Sequence, residues 1–188
     1  FTTTGLKEQS IILQTGWNLV GSGLLPYDST LSHLMTGVID HLTLMKDETG
    51  QVFWPAQAID NLHHWRAGYG YWINVTATDT LTLSGDPIHT VPMPIPLHAG
   101  WNMAAFLAQN PQGIAEALAD IQGNFILLKT GNGQVYWPAY GIDQIGNLNP
   151  GQGFQVYMTH ADTLTYPAET VFKGSTVQNP SVKHFSAA

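Results

Sequence analysis

The sequence contains no cysteine and few charged residues. The absence of cysteine excludes a disulfide framework, thiol catalysis and zinc sites built on thiolates. Lys and Arg number six in 188 residues and form no run, so no nucleic-acid partner is expected, because phosphate binding normally needs clustered cations. No apolar run approaches the roughly 18 residues of a membrane span, so no direct membrane insertion is expected. The start at Phe1 carries no signal peptide, which predicts a chain that is cytosolic or already processed.

The composition is that of a folded protein with a weakly charged surface. Hydrophobic residues make up 44% of the chain and charged residues 10%, with a formal net charge of −7, which is typical of a globular domain rather than a disordered tail. Thr, Asn, Gln and Gly are common, while Lys and Glu are scarce. This pattern favours an extracellular or cell-surface location in a bacterium.

Four sequence blocks recur in the same order at a spacing of 83 or 84 residues. The pairs are TGWNLV and AGWNMA, LMKDETGQVFWPAQAID and LLKTGNGQVYWPAYGID, GYGYWINV and GQGFQVYM, and TDTLTLSG and ADTLTYPA. We interpret this as a tandem duplication. It predicts a linker at 1–10, a first module at 11–86, a proline-rich connector at 87–94, a second module at 95–168, and a tail at 169–188 that is either a linker or a closing strand.

Each predicted module is β-rich and of the α+β class. Short apolar runs separated by Gly and Pro indicate about five strands in a small, mainly antiparallel sheet or barrel, with one short helix. The first helix is predicted around Leu31 and Leu34, with Ser29 or Thr30 as its N-cap, and the second after an Asn110 cap. A Trp-Pro pair is predicted to end one strand of each module, because proline cannot continue a central ladder.

Positions that stay apolar in both copies are interpreted as core. Tyr71 corresponds to Phe154 on a strand whose alternate residues match, so both are predicted to be core anchors. Trp17 and Trp101 hold the same place in the Gly-Trp-Asn block, and we predict that they are core anchors too, each with its indole N–H bonded to a loop. Trp65 corresponds to Leu148 and is also predicted to be core.

Four aromatic residues are candidates for a ligand-binding surface. Trp72 corresponds to Gln155, and a packed interior is not expected to accept either residue, so Trp72 is predicted to face outward or into an interface of the first module. Trp54 and Trp137 precede proline at a strand end, where they would either pack under the next loop or stand at the rim as a stacking surface. Tyr140 would extend that surface.

The repeated Gly-x-Gly segment does not predict a nucleotide site. Gly68 and Gly70 in one copy, and Gly151 and Gly153 in the other, precede a strand, whereas a phosphate-binding fingerprint needs a helix after the glycines. We predict that these glycines adopt positive φ in a turn.

No catalytic, metal or cofactor site is predicted. The eight histidines show no zinc-binding spacing, and the acidic KDETGQ segment corresponds to KTGNGQ, which lacks carboxylate ligands for calcium. Asp79 and Asp162 recur before Thr-Leu-Thr, where Asp commonly bonds nearby backbone in a tight turn. Because carboxylate pairs can hydrolyse glycosides, a small enzyme using Asp and His of the loop after the Trp-Pro pair, including Asp60 and Asp143, is the least favoured alternative.

The ordered motifs resemble a tandem module of about 80 residues, found in exported and cell-surface proteins of bacteria and some archaea. Typical members read Gly-Trp-Asn-Leu-Ile near the start and Pro-Gly-x-Gly-Tyr-Trp-Ile near the end, followed by a Thr-rich strand. The first copy matches with GWNLV and GYWI; the second matches with GWN and PGQGF and departs at Met103-Ala104 and Phe154-Gln155. The resemblance implies a surface or secreted context and a non-catalytic accessory role, and it brings no ligand or catalytic residues.

The favoured hypothesis is a non-catalytic extracellular tandem module of a bacterial surface or secreted protein, acting in adhesion, spacing or recognition as part of a longer chain. The alternative is a carbohydrate-binding module of a secreted hydrolase, with exposed Trp and Tyr rings stacking on sugars. The expected partner is therefore a polysaccharide or another surface protein.

Overall fold

The computed structural model describes residues 7–88 and 93–166, and most of its regular structure is antiparallel β-strand. The first half, residues 7–88, contains β1 (Lys7–Leu13), β2 (Gly16–Val20), β3 (Leu24–Pro26), α1 (Leu31–Leu34), β4 (Leu42–Lys46), β5 (Val52–Trp54), β6 (Ile59–Asp60), β7 (Tyr71–Val75) and β8 (Asp79–Pro87). The second half, residues 93–166, contains β9 (Ile95–Leu97), β10 (Gly100–Ala105), β11 (Gln112–Gly113), α2 (Ile114–Ala117), β12 (Phe125–Thr130), β13 (Val135–Trp137), β14 (Ile142–Asp143), β15 (Asn147–Leu148), β16 (Gly153–Met158) and β17 (Asp162–Leu164). Single turns of 3₁₀ helix cover Thr36–Val38, Pro55–Gln57, Ala119–Ile121 and Pro138–Tyr140.

Each half has a five-stranded antiparallel sheet, and corresponding strands follow the same order in both. The first sheet runs β2-β7-β4-β5-β6 and the second β10-β16-β12-β13-β14. Both also shift register at the same place, between Leu42 and Leu44 where β4 pairs with β7, and between Phe125 and Leu127 where β12 pairs with β16. The expected β-rich, mainly antiparallel architecture is therefore confirmed.

Shorter sheets flank these two, with the order β1-β8-β3 in the first half and the pairs β11-β15 and β17-β9 in the second. Strand β1 pairs with β8 along its whole length, from Lys7 opposite Gly85 to Leu13 opposite Asp79. Residues 7–10 of the predicted linker and Pro87 of the predicted connector therefore belong to a sheet. Residues 1–6, residues 89–92 and the whole predicted tail lie outside the described residues.

One face of each five-stranded sheet covers a hydrophobic core. On β7, Tyr71, Ile73 and Val75 are buried and the residues between them are partly exposed, which is the period-two pattern of a strand with one covered face. Phe154 is fully buried at the position that corresponds to Tyr71, and Trp65 is buried against the Tyr71 ring. Burying one side chain of this kind stabilises the fold by about 1.5–3 kcal/mol. The first core also contains Leu13, Leu31, Met35, Leu81 and Leu83, and the second Phe106, Ile114, Ile121, Leu128, Leu148 and Leu164.

Both predicted helices form, but each is a single turn of four residues. Thr30 precedes α1 in extended backbone, as predicted, but its hydroxyl donates to Asp28 instead of capping the helix. The predicted Asn110 cap is wrong, because Gln112–Gly113 first pairs with β15 as a strand, and the helix begins only at Ile114. No helix among the described residues has the length and apolar character needed to cross a membrane.

The Trp-Pro pair ends a strand in each half, as predicted. Strand β5 ends at Trp54 and β13 at Trp137, and the next three residues, Pro55–Gln57 and Pro138–Tyr140, form a 3₁₀ turn. Proline fixes φ near the helical value and lacks the N–H that a further ladder bond would need. These two tryptophans are therefore the last residues of their strands.

The two halves contact each other through reciprocal backbone hydrogen bonds. Gly21 donates to the Gly151 carbonyl oxygen at 3.1 Å, and Ala105 donates to that of Gly68 at 3.0 Å. Gly21 and Ala105 are corresponding positions in the sequence, as are Gly68 and Gly151, so each half gives the other the same bond. Such a self-complementary contact is the pattern of a two-fold interface.

The Gly-x-Gly segments lie in this contact, and their two glycines have different roles. Gly68 and Gly151 have positive φ, +85° and +90°, as predicted. The prediction is wrong for Gly70 and Gly153, which do not have positive φ. A Cβ added at Gly70 or Gly153 would lie 2.9 or 2.6 Å from a backbone carbonyl oxygen of the other half. These two positions need glycine because the backbones of the two halves touch there.

Candidate binding surface

Trp17 and Trp101 lie on the open faces of the five-stranded sheets, not in the cores. They are 46% and 41% exposed. Trp17 lies opposite Asn74 in the ladder of β2 and β7, and opposite side chains share a face, so Trp17 points away from Ile73 and the core. The predicted role of both tryptophans as core anchors is therefore wrong, since the repeated block is an edge strand whose Trp faces outward.

The Asn of each Gly-Trp-Asn block carries the structural role instead. Asn18 Oδ1 accepts from the Gln14 N–H at 2.8 Å, and Asn18 Nδ2 donates to the Gln14 carbonyl oxygen at 2.7 Å. Asn102 makes the same two bonds with the backbone of His98, at 2.8 and 2.7 Å. These bonds fix the turn that leads into the edge strand.

Trp17, Trp72 and Lys46 form an aromatic cluster on the open face of the first sheet. The rings of Trp17 and Trp72 are nearly perpendicular, at 86°, with centroids 6.3 Å apart. Lys46 Nζ lies 4.8 Å from the Trp17 ring centroid, within the range of a cation–π attraction. Trp72 is half-buried and points to this face, as the comparison of the two copies predicts.

Trp101, Tyr157 and Lys129 form a matching cluster on the second sheet. The Trp101 and Tyr157 rings meet edge to face at 79°, with centroids 5.2 Å apart. Lys129 Nζ lies 4.4 Å from the Trp101 ring centroid. Each edge-strand tryptophan is therefore held by one aromatic ring and one lysine.

Tyr157 is a surface aromatic that is not among the four predicted ligand-binding residues. It corresponds to Asn74, while Trp72 corresponds to Gln155. The ring that packs against the edge-strand tryptophan therefore comes from one outward position of β7 in the first half and from the next outward position of β16 in the second. Outward positions are two residues apart, so an inspection of every outward residue of the strand finds both rings.

The other predicted ligand-binding residues lie apart from these clusters. Trp54, at the end of β5, is 37% exposed. Trp137, at the end of β13, is half-buried with its ring centroid 4.6 Å from that of Tyr140, which is 71% exposed. Two strands separate each of these tryptophans from the edge strand, β2 or β10, that carries Trp17 or Trp101. The four predicted residues therefore do not form one surface.

Two grooves between the halves each combine the exposed tryptophan of one half with a hairpin turn of the other. The Glu48 groove, about 290 Å³, is lined by residues that include Lys46, Asp47, Glu48, Trp72, Trp101 and Gln155. The Asn132 groove, about 350 Å³, is lined by residues that include Ile12, Trp17, Leu19, Thr130, Asn132 and Gln152. The Glu48 groove has two indole rings and two carboxylates, whereas the Asn132 groove has one indole ring and no carboxylate.

Both carboxylates of the Glu48 groove are bonded within the protein. Glu48 Oε2 accepts from the Met103 backbone N–H at 2.7 Å, which ties the hairpin of the first half to the edge strand of the second. Asp47 is buried; its Oδ1 accepts from the Thr49 N–H at 2.9 Å, and its Oδ2 lies 3.4 Å from Arg66 Nη2. Both carboxylates therefore already have a bonding partner within the protein, and Asp47 also lies next to a cation.

Asp79 and Asp162 each accept a bond from the next backbone N–H, as predicted, and each also accepts from a side chain 38 residues earlier in the chain. Asp79 Oδ2 accepts from His41 Nδ1 at 2.8 Å, and Asp79 Oδ1 from the Thr80 N–H at 2.7 Å. The His41 bond first, and the backbone bond second, lower the pKa of Asp79 below its usual value. Asp162 accepts from Asn124 Nδ2 at 2.7 Å, and its pKa is lowered mainly by this bond.

The acidic residues of the loop after the Trp-Pro pair also bond to backbone. Asp60 Oδ1 accepts from the His63 N–H at 2.6 Å, and Asp143 Oδ1 accepts from the Gly146 N–H at 2.7 Å. The exposed His63 ring has its Nδ1 3.7 Å from the same Asp60 oxygen. In the described part of the chain, no three or more His, Asp or Glu side chains are grouped so that they could hold a metal ion.

Comparison with known proteins assigns no family to the chain. No family model matches it, and neither a curated protein nor a solved structure shows significant similarity to it.

Proposed function

We propose that the chain is a non-catalytic tandem recognition module of a longer exported or cell-surface protein. Three features support an origin by duplication: the repeated sequence blocks, the equal order of strands in the two sheets, and the reciprocal hydrogen bonds between the halves. The resemblance to repeated modules of exported proteins supports the surface context.

The matched aromatic clusters carry this proposal. Each sheet exposes a tryptophan with a second aromatic ring and a lysine packed against it, on the face opposite the core. Exposed apolar patches of this kind mark interaction sites, and Trp and Tyr are the residues that most often dominate binding energy. Two such faces on one chain would allow a bivalent contact, which raises avidity without any new type of contact.

Binding to arrays of polysaccharides and purified extracellular-matrix proteins tests the proposal. The chain would carry a fluorescent reporter, and the variant Trp17→Ala/Trp101→Ala would remove the central ring of both clusters. We expect the wild-type chain to bind at least one target and the double variant to bind it at least tenfold more weakly.

A matched control is Tyr27→Ala, because Tyr27 is an exposed aromatic residue, 56% accessible, that belongs to neither cluster. Its hydroxyl donates to Asp86 Oδ1 at 2.9 Å. This variant should bind as the wild type does. Absence of any bound target, or equal binding by the double variant, would contradict the recognition role. Release of new reducing ends from a bound polysaccharide would contradict the non-catalytic role.

A further inference from the structure

We propose that the Glu48 groove binds a short segment of a neutral polysaccharide. This inference rests on the recognition function proposed above and adds the site and the class of ligand. Trp72 comes from β7 of the first half and Trp101 from β10 of the second, so the groove exists only where the two halves are packed together.

The two indole rings suit the apolar part of a sugar. Trp101 is 41% exposed and Trp72 is half-buried, so both present ring surface to the groove. A sugar ring has apolar C–H faces and a rim of hydroxyl groups, and ligand sites commonly combine aromatic walls with a few placed polar groups. With a volume of about 290 Å³ and an open shape, the groove fits part of a longer chain.

Gln155 supplies the polar group that a sugar requires. Its side chain points to the open face, opposite Met103 on one side and Lys129 on the other, and it makes no hydrogen bond with the described residues. An amide both donates and accepts, which matches the two roles of a hydroxyl group. The residues that line the Asn132 groove include Trp17 but neither Gln155 nor a second indole ring.

The charges of the groove favour a neutral ligand. Glu48 is bonded to Met103, Asp47 is paired with Arg66, and Lys46 lies over the Trp17 ring, so each of these charged groups is already engaged within the protein. The formal net charge of −7 further disfavours an anionic polymer.

Titration of the ¹⁵N-labelled chain with oligosaccharides tests the site. The neutral probes are hexasaccharides of β-1,4-glucose, α-1,4-glucose, β-1,4-mannose and β-1,4-xylose, and the charged comparison is trigalacturonate. We expect at least one neutral probe to shift the indole N–H signals of Trp72 and Trp101 saturably, and trigalacturonate to leave them in place.

Variants locate the contact. Trp101→Ala should weaken binding at least tenfold by calorimetry, because a central indole ring commonly dominates such a site. Gln155→Leu keeps the side-chain volume but removes the amide, and should weaken binding roughly fivefold, the range of one hydrogen bond. Trp137→Ala is the matched control, since Trp137 lies outside the groove, and it should bind as the wild type does.

Absence of shifts with every neutral probe, equal binding of trigalacturonate, or an equal loss of affinity in Trp137→Ala would overturn the inference. If the arrays then show a protein target that depends on Trp17 and Trp101, the recognition function stands and only the sugar site fails. If the arrays are also negative, both fail.

Discussion

His41 donates a hydrogen bond from Nδ1 to Asp79 Oδ2 at 2.8 Å and so ties the start of β8 to the segment before β4. At the corresponding positions of the second half, Asn124 donates to Asp162 at 2.7 Å. The same contact is therefore built with an imidazole donor in one half and an amide donor in the other.

This contact predicts a loss of stability in acid. The pKa of Asp79 is lowered in the folded chain, so the unfolded chain takes up the proton first as the pH falls. The stabilising contribution is fully present above the ordinary Asp pKa of about 4 and is lost as the pH falls through the lowered folded value. Asp79→Asn should therefore be less stable than the wild type at pH 7, and the difference should shrink as the pH falls below the ordinary Asp pKa of about 4, in urea unfolding followed by circular dichroism.

The donor provides the control for that experiment. His41→Asn places the amide donor of the second half in the first and should keep the acid dependence. His41→Leu removes the donor and should reduce it. An equal acid dependence in His41→Leu and the wild type would show that the bond does not set the pKa of Asp79.

The backbone contact between the halves predicts that two glycines cannot be replaced. Gly70→Ala and Gly153→Ala would each bring a Cβ within 3 Å of a carbonyl oxygen of the other half, so each should destabilise the fold by about 1–3 kcal/mol in chemical denaturation. Gly113→Ala is the control, because its Cβ would meet only Asn147 Oδ1 at 3.9 Å. It should change stability by less than about 0.5 kcal/mol, and an equal cost in all three variants would contradict the close-approach explanation.

The bond from Glu48 to Met103 predicts a local loss of protection. Glu48→Ala leaves the Met103 N–H without its acceptor, at a cost of about 1–3 kcal/mol for a partly buried group. Hydrogen exchange should report this as faster exchange of the Met103 amide. Glu48→Gln keeps an acceptor oxygen and should lose less protection, while unchanged exchange in Glu48→Ala would show that the bond is not formed in solution.

The open-face position of Trp17 and Trp101 predicts small stability effects. Trp17→Ala and Trp101→Ala should each cost about 1–2 kcal/mol, from the lost ring and lysine contacts. Trp65→Ala, at a buried site, should cost about 3–5 kcal/mol. Acrylamide should quench the tryptophan fluorescence of the Trp17→Ala/Trp101→Ala variant less than that of the wild type or of Trp65→Ala, because the double variant lacks two exposed indole rings. Equal quenching of the double variant and Trp65→Ala would show that Trp17 and Trp101 are buried.

Comparison of the two copies predicted the buried positions well and the tryptophans of the edge strands badly. Tyr71 and Phe154 stay apolar because a buried site tolerates little chemical change, and both are buried. Trp17 and Trp101 stay identical for another reason, since each packs against a lysine on the open face. Repetition of a residue therefore indicated packing but not the face on which the packing occurs.

The repeated lysines are the sequence signal that indicates the outward position of Trp17 and Trp101. Lys46 and Lys129 are corresponding residues on the strand that pairs with the outward positions Trp72 and Gln155. A lysine stem packs along an exposed ring while its amino group stays in water, so a repeated Trp together with a repeated Lys favours an open face.

By itself, the sequence determined the β-rich class of the fold, the side of β7 that is buried, and the turns at Gly68 and Gly151, because these depend on period-two alternation and on local backbone conformation. Only the tertiary structure decided that Glu48 reaches Met103 and that Gly70 meets the backbone of the other half. These contacts join residues of different halves, and no local pattern of side chains encodes which surfaces of two similar halves will meet.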